Sequence, residues 1–438
     1  MDKVKYSLGT AVSVVIANMI GTGVFASLGF QLLGITDFFA ILSLWVAGGI
    51  IALFGAFCYS EIGAIYPESG GEYLYLSKIY HPSVGFASGW LSATIGFAAP
   101  IALNAILFAV YFKKVFTNVD IEFIAIGLII FITAMNAINH QVSGRFQKIF
   151  TALKVIILIV FIAAGFVLET DVPANFGFTE YTLDSVFSKS FALSLVYVSF
   201  AYSGWNASAY ISSEVYNPKR NIPLSILIGT AVVTVIYTLL NMVFLKSAPV
   251  SELMVDPNTM EQKELGYIVA THLFGSKVSY FFNLIICLFL ISSISSMIIA
   301  GPRVIHQIAK DYSIMKKLHL KADESEVPRY ALLILSLTAI FILITGTFKS
   351  IITYTTLGMI VFATLTVAGV IVLRIKNPEM VRSYRAWGYP LTPIIFILSN
   401  IWITYSVVQE EYVASLIGFS IIAAGLIIYY FLPKKPLT

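Results

Sequence analysis

Two short polar interruptions stand inside long apolar runs. The first is Gly21-Thr22-Gly23, within "IANMIGTGVFAS". The second is Ser203-Gly204, within "FAYSGWNASAY", with Asn206 and Ser208 just after it. A helix broken at such a point leaves two half-helices whose ends meet inside apolar surroundings. The half-helix starting near Thr22-Gly23 offers N–H groups without helical partners, carrying a partial positive charge. Those donors suit a carboxylate, glycine lets it approach the backbone closely, and the Thr22 hydroxyl can donate as well. The half-helices ending near Met19-Ile20 and Phe200-Ala201 offer orphan carbonyls, which suit an ammonium. Donors beside acceptors complement a zwitterion, the head group of an α-amino acid. The opposite explanation, glycines that merely let helices pack closely, fits one break better than two at matching places.

One charge joins them. Lys154, in "FQKIFTALKVIILIVFIAAGF", lies about seven residues, roughly 10 Å, into its apolar run. Its stem reaches only about 6 Å, which makes snorkelling difficult. An intramembrane ionisable residue is a functional candidate by default. Its partners must be acceptors, and the sequence offers the carbonyls of the first break and the serines of "ISSISSM": Ser292, Ser293, Ser295 and Ser296. Asp37, Glu61, Glu122, Glu169 and Glu214 all fall near run ends, so a buried counter-charge for a cationic cargo is lacking and a net-neutral substrate is favoured.

The elements that position these residues are membrane helices. Of 438 residues, 58% are hydrophobic and 11% charged. Mean hydropathy is +0.88. Soluble domains carry far more charge. Apolar runs of roughly 20 residues match about 30 Å of hydrocarbon and exclude the short alternating segments of a β-barrel. The pattern predicts an all-α polytopic membrane protein with twelve spans: 8–33, 38–65, 83–112, 122–139, 147–168, 187–215, 223–246, 278–301, 329–346, 350–373, 391–408 and 412–432. The first span is expected to be retained, because "MDKVKYSLGT" is too short and polar for a cleaved signal. With the N-terminus in the cytoplasm, nineteen Lys and Arg fall in inside segments, seven fall outside, and Lys154 lies within a span. This asymmetry puts both termini on the cytoplasmic side of what is expected to be the plasma (cytoplasmic) membrane. The net charge of +4 then reflects orientation and is scattered over separate loops, unlike a nucleic-acid footprint. Spans one and six carry the breaks. Five spans separate them, an odd number, so the second half is inverted relative to the first.

Other chemistries find little support. Cys58 and Cys287 lie in different spans outside any CxxC, and the five histidines are far apart, so neither a metal nor a cofactor is expected. A membrane-embedded enzyme would cluster His, Asp, Glu or Cys within the spans. A channel would need a polar stripe along a whole span. Glu61 and Glu72 are expected to pair with Lys and Arg on the inside face, around the turn made by Pro67, Gly70 and Gly71. "NPKRNIP" predicts a capped start for span seven, with Asn217 or Asn221 as cap and Pro223 near its first turn.

The chain resembles the amino acid–polyamine–organocation superfamily, and within it the L-amino acid transporter-like permeases. "MIGTGVF" (19–25), "YSEIGAIYPESGGEYLYL" (59–76), "FQKIFTALKV" (146–155), "FAYSGWN" (200–206) and "EVYNPKRNIP" (214–223) carry the resemblance. "GPRVIHQIAKDYSIMKKLHL" (301–320) is similar to the family's basic cytoplasmic loop. The resemblance implies a five-plus-five inverted repeat, the fold of sodium-coupled leucine transporters, with two extra helices: 1–168, 169–375 and 376–438. It implies alternating access. It places the substrate carboxylate on Thr22 and Gly23, and the ammonium on carbonyls of Met19, Ile20, Phe200, Ala201 and Ser203, with Asn18 and Asn206 beside them. Phe200 becomes an aromatic gate. Asn206 stands where related antiporters carry a glutamate, and the family's usual Gly-Ser-Gly reads Gly-Thr-Gly here, keeping the hydroxyl. Lys154 with Ser292, Ser293, Ser295 and Ser296 takes the place of a sodium site linking spans one and eight. The expected activity is secondary active, sodium-independent transport of neutral L-amino acids, by exchange or coupled to H⁺. A cationic amino acid or polyamine antiporter is the alternative within the superfamily, and a channel or transport-complex subunit the alternative outside it. No outside-loop cysteine is available to tie an accessory subunit, so none is evident.

Overall fold

The computed structural model describes residues 5–138, 140–170, 172–258, 263–312, 327–345 and 348–432. Helices follow one another in the order α1 (Leu8–Met19), α2 (Thr22–Gln31), α3 (Phe38–Ile65), α4 (Glu72–Ile79), α5 (Pro82–Leu91), α6 (Ala98–Val115), α7 (Ile121–Asn136) and α8 (His140–Val167). They continue as α9 (Thr182–Val186), α10 (Lys189–Tyr202), α11 (Pro218–Ser247), α12 (Val250–Leu253), α13 (Leu265–Phe274) and α14 (Ser276–Asp311). The last four are α15 (Arg329–Thr345), α16 (Phe348–Lys376), α17 (Leu391–Glu410) and α18 (Tyr412–Phe431). The only strand-like pairing among the described residues is one isolated bridge between Tyr6 and Val215.

Side-chain caps start several of these helices. The Asp37 carboxylate accepts the Ala40 N–H at 2.7 Å at the start of α3. Asp120 does the same for Glu122 and Phe123 at α7, and Ser188 for Phe191 at α10. Each supplies an acceptor to a first-turn donor that has no helical partner.

Among the described residues, nine helices are long and apolar enough to cross a membrane: 8–31, 38–65, 82–115, 141–167, 218–247, 276–311, 351–376, 391–410 and 412–431. They answer to nine of the expected spans. The segments expected as spans four and nine appear as the shorter α7 and α15, and span six as α10 followed by a 3₁₀ turn over Ala207–Glu214. The apolar α13, which the sequence pattern did not separate from its loop, packs against α14.

Burial sorts the helices into an inner and an outer set. The pair α1–α2 is almost wholly enclosed, and α14 and the α5–α6 segment are largely so. Helix α3 runs along α11, α6 along α14, and α1 against α11, α8 and α14. The outer helices α8, α15, α17 and α18 turn bare apolar side chains outward, among them Ile156, Val160, Phe341, Leu398 and Tyr430. Apolar helix faces of this kind suit contact with lipid chains, since every backbone polar group is satisfied within the helix. The site-bearing segments therefore sit at the centre of the bundle.

Two boundaries differ from the sequence reading. Span seven begins at Pro218, so Pro223 lies inside α11 rather than at its first turn. Asn217 holds the cap position in left-handed geometry (φ 44°) without a side-chain cap bond, while Asn221 Nδ2 donates to the Tyr216 carbonyl. Helix α14 runs ten residues beyond the expected limit of 301, through Gly301-Pro302-Arg303 to Asp311, so the first half of the expected basic loop is helical. The remainder of that loop, 313–320, lies outside the described residues.

Candidate functional site

Both interruptions are real, and they face each other. α1 ends at Met19 and α2 starts at Thr22, with Gly21 between them in non-helical geometry. α10 ends at Tyr202. Gly204 then takes φ +91°, a left-handed conformation that disfavours a side chain, before the 3₁₀ turn begins. Gly23 lies directly on the Ala201 backbone, so any Cβ at position 23 would overlap it. A Cβ on Gly204 would come within 2.5 Å of Asn18 Oδ1. The glycines are thus fixed by the close approach of the two breaks.

The carbonyls at the breaks are held by side chains from three other helices. Lys154 Nζ, on α8 and fully buried, donates to the Ile20 carbonyl at 2.8 Å and to Ser293 Oγ at 2.8 Å. Ser293 donates in turn to the same Ile20 carbonyl at 2.5 Å. The Tyr237 hydroxyl, on α11, lies 2.5 Å from the Met19 carbonyl and 3.1 Å from that of Ala201, so one phenol spans both breaks. The Phe200 carbonyl accepts from Ser203 itself, through N–H at 3.0 Å and Oγ at 2.6 Å. On the donor side, the Thr22 N–H bonds Asn104 Oδ1 at 3.2 Å. Of the expected acceptors Met19, Ile20, Phe200 and Ala201, each therefore already engages a protein donor, and the Thr22 amide has a protein acceptor.

Of the four serines expected around Lys154, only Ser293 touches it. Ser292 lies within hydrogen-bond distance of Gln147 (3.3 Å) and Thr151 (3.4 Å), Ser295 accepts from Asn136 (3.3 Å), and Ser296 bonds the Ser293 carbonyl (2.9 Å). Helical spacing explains the split, since four serines within five residues cannot share one face. The three others tie α14 to α7, to α8 and to its own preceding turn.

A cavity opens between the breaks. Asn18, Phe97, Ser203, Gly204, Asn206 and Met297 line its inner part. A second cavity continues on the far side of Phe200, Ser203 and Asn206, toward Thr356 and Met359 of α16 and Phe396 and Asn400 of α17. Phe200 lines only this second part, which α16 and α17 close. Asn18 Nδ2 is buried and has no hydrogen-bond partner among the described residues, which leaves a donor free beside the cavity. Met19, Ile20, Thr22, Gly23 and Ala201 form the buried frame of the breaks, whereas Asn18, Phe200, Ser203 and Asn206 line cavity walls.

Glu72 belongs to both cavities. The sequence reading put it with Glu61 as a partner of Lys and Arg. Glu61 does behave so, pairing with Arg374 at 2.6 Å and Arg382 at 3.1 Å and accepting the Ala386 N–H at 2.7 Å. Glu72 does not. The tight turn at Gly70 (φ +125°) and Gly71 (φ +54°) sends α4 inward, and Glu72 Oε1 meets the Tyr59 hydroxyl at 2.5 Å and Asn206 Nδ2 at 3.0 Å. The acid missing from the spans is delivered to the cavity by the first residue of the short helix α4. A second ion pair, Arg303 with Glu214 at 2.9 Å, closes the same end of the molecule beside the Tyr6–Val215 bridge.

Tyr237 and Asn104 escaped the sequence reading. Their signal was faint: a tyrosine and an asparagine inside otherwise aliphatic helical runs, buried polar groups that need partners. Lys154, by contrast, was visible as a lone charge.

A family model described as amino acid permease matches residues 6–432. The b(0,+)-type amino acid transporter 1 of Mus musculus is 27% identical over 436 residues, covering 96% of this chain and 86% of that protein. The large neutral amino acids transporter small subunit 2 is 29% identical in Mus musculus and 28% in Homo sapiens, in each case over 98% of this chain, and over 81% and 80% of those proteins. Since those two relatives are named as small subunits, the lack of an outside-loop cysteine does not argue against an accessory subunit. With helices broken at 20–21 and 203–206 and a polar cavity between them, this integral membrane protein belongs to the amino acid permease family, a non-enzymatic family of the amino acid–polyamine–organocation superfamily, on its L-amino acid transporter-like branch.

Proposed function

We propose that the protein carries neutral L-amino acids across the plasma membrane by alternating access, without sodium, either in exchange for another amino acid or together with a proton. The observation that carries the sodium-independent reading is the Lys154 ammonium bonded to the Ile20 carbonyl and Ser293. A fixed positive charge there links the first break to α14, uses the oxygens a sodium ion would need, and repels the ion. In this reading Asn18, Thr22 and Gly23 receive the substrate carboxylate. The carbonyls of Met19, Ile20, Phe200, Ala201 and Ser203 surround its ammonium, and Asn206 borders its side chain. Some of the present bonds to those groups exchange for bonds to substrate, and Phe200 gates the path. Twelve spans arranged as inverted halves, 1–168 and 169–375, followed by 376–438, supply the moving parts. The ion pairs Glu61–Arg374 and Glu214–Arg303 close the cytoplasmic side, where both termini lie.

Purified protein in liposomes, given labelled alanine against a panel of the twenty amino acids, tests this. Saturable, stereoselective uptake that is unchanged when choline replaces Na⁺ is expected. A sodium requirement overturns the coupling assignment. Uptake driven by a pH gradient into empty liposomes selects proton coupling, and strict dependence on internal amino acid selects exchange. A cationic substrate is the second reading, and Glu72 in the cavity wall is what favours it.

A further inference from the structure

We propose that Glu72 is the charge-selecting group of the substrate cavity: ionised, it receives the cationic end of a substrate side chain, and protonated, it leaves a neutral wall that favours uncharged ones. The inference rests on the amino acid reading of the cavity and assigns that cavity a pH-dependent choice of side chain.

Three observations converge. First, Glu72 lies at the junction of the two cavities and lines both, together with Ser203, Gly204 and Asn206 of the second break. A side chain leaving a head group held at the breaks reaches this wall. Second, the carboxyl has no cationic partner among the described residues. Glu61 takes Arg374 and Arg382, and Glu214 takes Arg303, so the neighbouring acids are neutralised and Glu72 is not. Third, Tyr59 and Asn206 both bond Oε1, and besides the nearby Ser88 hydroxyl no donor among the described residues is directed at Oε2. An acceptor is therefore left facing the cavity.

The titratable groups facing Glu72 are phenols: Tyr59 from α3, Tyr75 from α4 itself and Tyr210 from the 3₁₀ turn. Helix α5 contributes the Ser88 hydroxyl, and α14 and α16 contribute Met297 and Met359. None of these supplies a positive charge. Burial of the carboxyl pushes its pKa up to about 7, against the opposing help that Tyr59, Ser88 and Asn206 give the anion. α4 is a short helix between two spans, so this group can exchange protons from one side of the membrane when the cavity opens there. For a group titrating near 7, the ionised fraction rises roughly thirty-fold between pH 5.5 and 8.0. A cationic side chain pairs with the anion and is desolvated at less cost, whereas an apolar side chain meets a costly bare charge.

Lysine and norleucine differ at the end of the side chain by one ammonium, and the charges of both stay fixed over this pH range. Each is used to inhibit labelled alanine uptake into liposomes at pH 5.5 and 8.0, with the natural protein, Glu72→Gln and Glu72→Asp. In the natural protein the ratio of lysine to norleucine affinity is expected to rise at least tenfold from pH 5.5 to 8.0. Glu72→Gln should hold that ratio flat at its low-pH value, and Glu72→Asp should restore part of the rise. A flat ratio in the natural protein overturns the proposal even if the glutamine variant does not fold, and so does a rise that persists in Glu72→Gln. Saturable alanine uptake with a flat ratio removes only the role of Glu72. Absence of saturable uptake of any amino acid removes the reading beneath it.

Discussion

Among the described residues, Lys154 and Glu72 are the buried lysine and glutamate that no ion pair neutralises, and the sequence treats them differently. Lys154 announces itself, because an aliphatic run that holds one lysine must supply acceptors for it. Its partner Ser293 could be narrowed to four serines but not chosen, since the choice depends on how α14 is rotated. Replacing Lys154 by methionine removes its hydrogen bonds to the Ile20 carbonyl and to Ser293, while leaving the Ser293–Ile20 bond in place. The initial rate of alanine uptake is expected to fall about tenfold or more, and an unchanged rate would show that the link between α8 and the first break is idle. Glu72 was misassigned, because nothing in "YPESGGEY" tells which of its acids the two positive-φ glycines turn inward. Its proton has a thermodynamic consequence. The folded carboxyl titrates at about 7, above its ordinary value, so the folded state keeps a proton that the unfolded state has released. The stability contribution of Glu72 is therefore complete below the ordinary carboxyl range and is lost as pH rises through about 7. In detergent, the drop in thermal midpoint between pH 5 and pH 8 should be smaller for Glu72→Gln than for the natural protein. An equal drop contradicts this assignment.

At the scale of elements, the breaks were the most legible feature of the chain. A glycine pair around a hydroxyl, or serine and glycine followed by asparagine, cannot be mistaken for aliphatic filler, and both breaks fall within a residue or two of where the pattern put them. What ties the breaks together was not legible. Tyr237 is 218 residues from Met19 and 36 from Ala201, and no local period links them. Helix α14 was cut short at Gly301-Pro302, a sound stop signal in isolation. Beyond the proline, Arg303 turns back to the Ile299 carbonyl and pairs with Glu214, which anchors the continued helix. Gly23→Val and Tyr237→Phe test the contact of the breaks, with Gly127→Ala as the control. Gly23→Val drives a side chain into the Ala201 backbone and is expected to abolish uptake. Gly127→Ala, on the open face of α7 with nothing within 4 Å, should leave uptake unchanged. Tyr237→Phe removes the hydroxyl spanning both breaks and should lower uptake severalfold without loss of monodisperse protein. Normal transport by Gly23→Val would mean that the two breaks need not touch.

At the scale of the molecule, composition fixed the class and hydropathy most of the spans, because hydrocarbon imposes one length and one backbone solution. The shorter α7 and α15, and the split of span six into α10 and a 3₁₀ turn, depend on packing against neighbours and are not written in hydropathy. An enclosed α1–α2 pair packed against α8, α10, α11 and α14 makes the two breaks the centre of the bundle, and the ion pairs Glu214–Arg303 and Glu61–Arg374 lie away from them. In the proposed mechanism, backbone groups at those breaks grip both poles of an amino acid head group. Competition of L-alanine, propionate and ethylamine against labelled alanine in liposomes separates the two poles. L-alanine should compete fully, while propionate, which lacks the ammonium, and ethylamine, which lacks the carboxylate, should each be at least about a hundredfold weaker, the equivalent of about 2.7 kcal/mol. Competition by either truncated compound within a few-fold of L-alanine would contradict that mechanism.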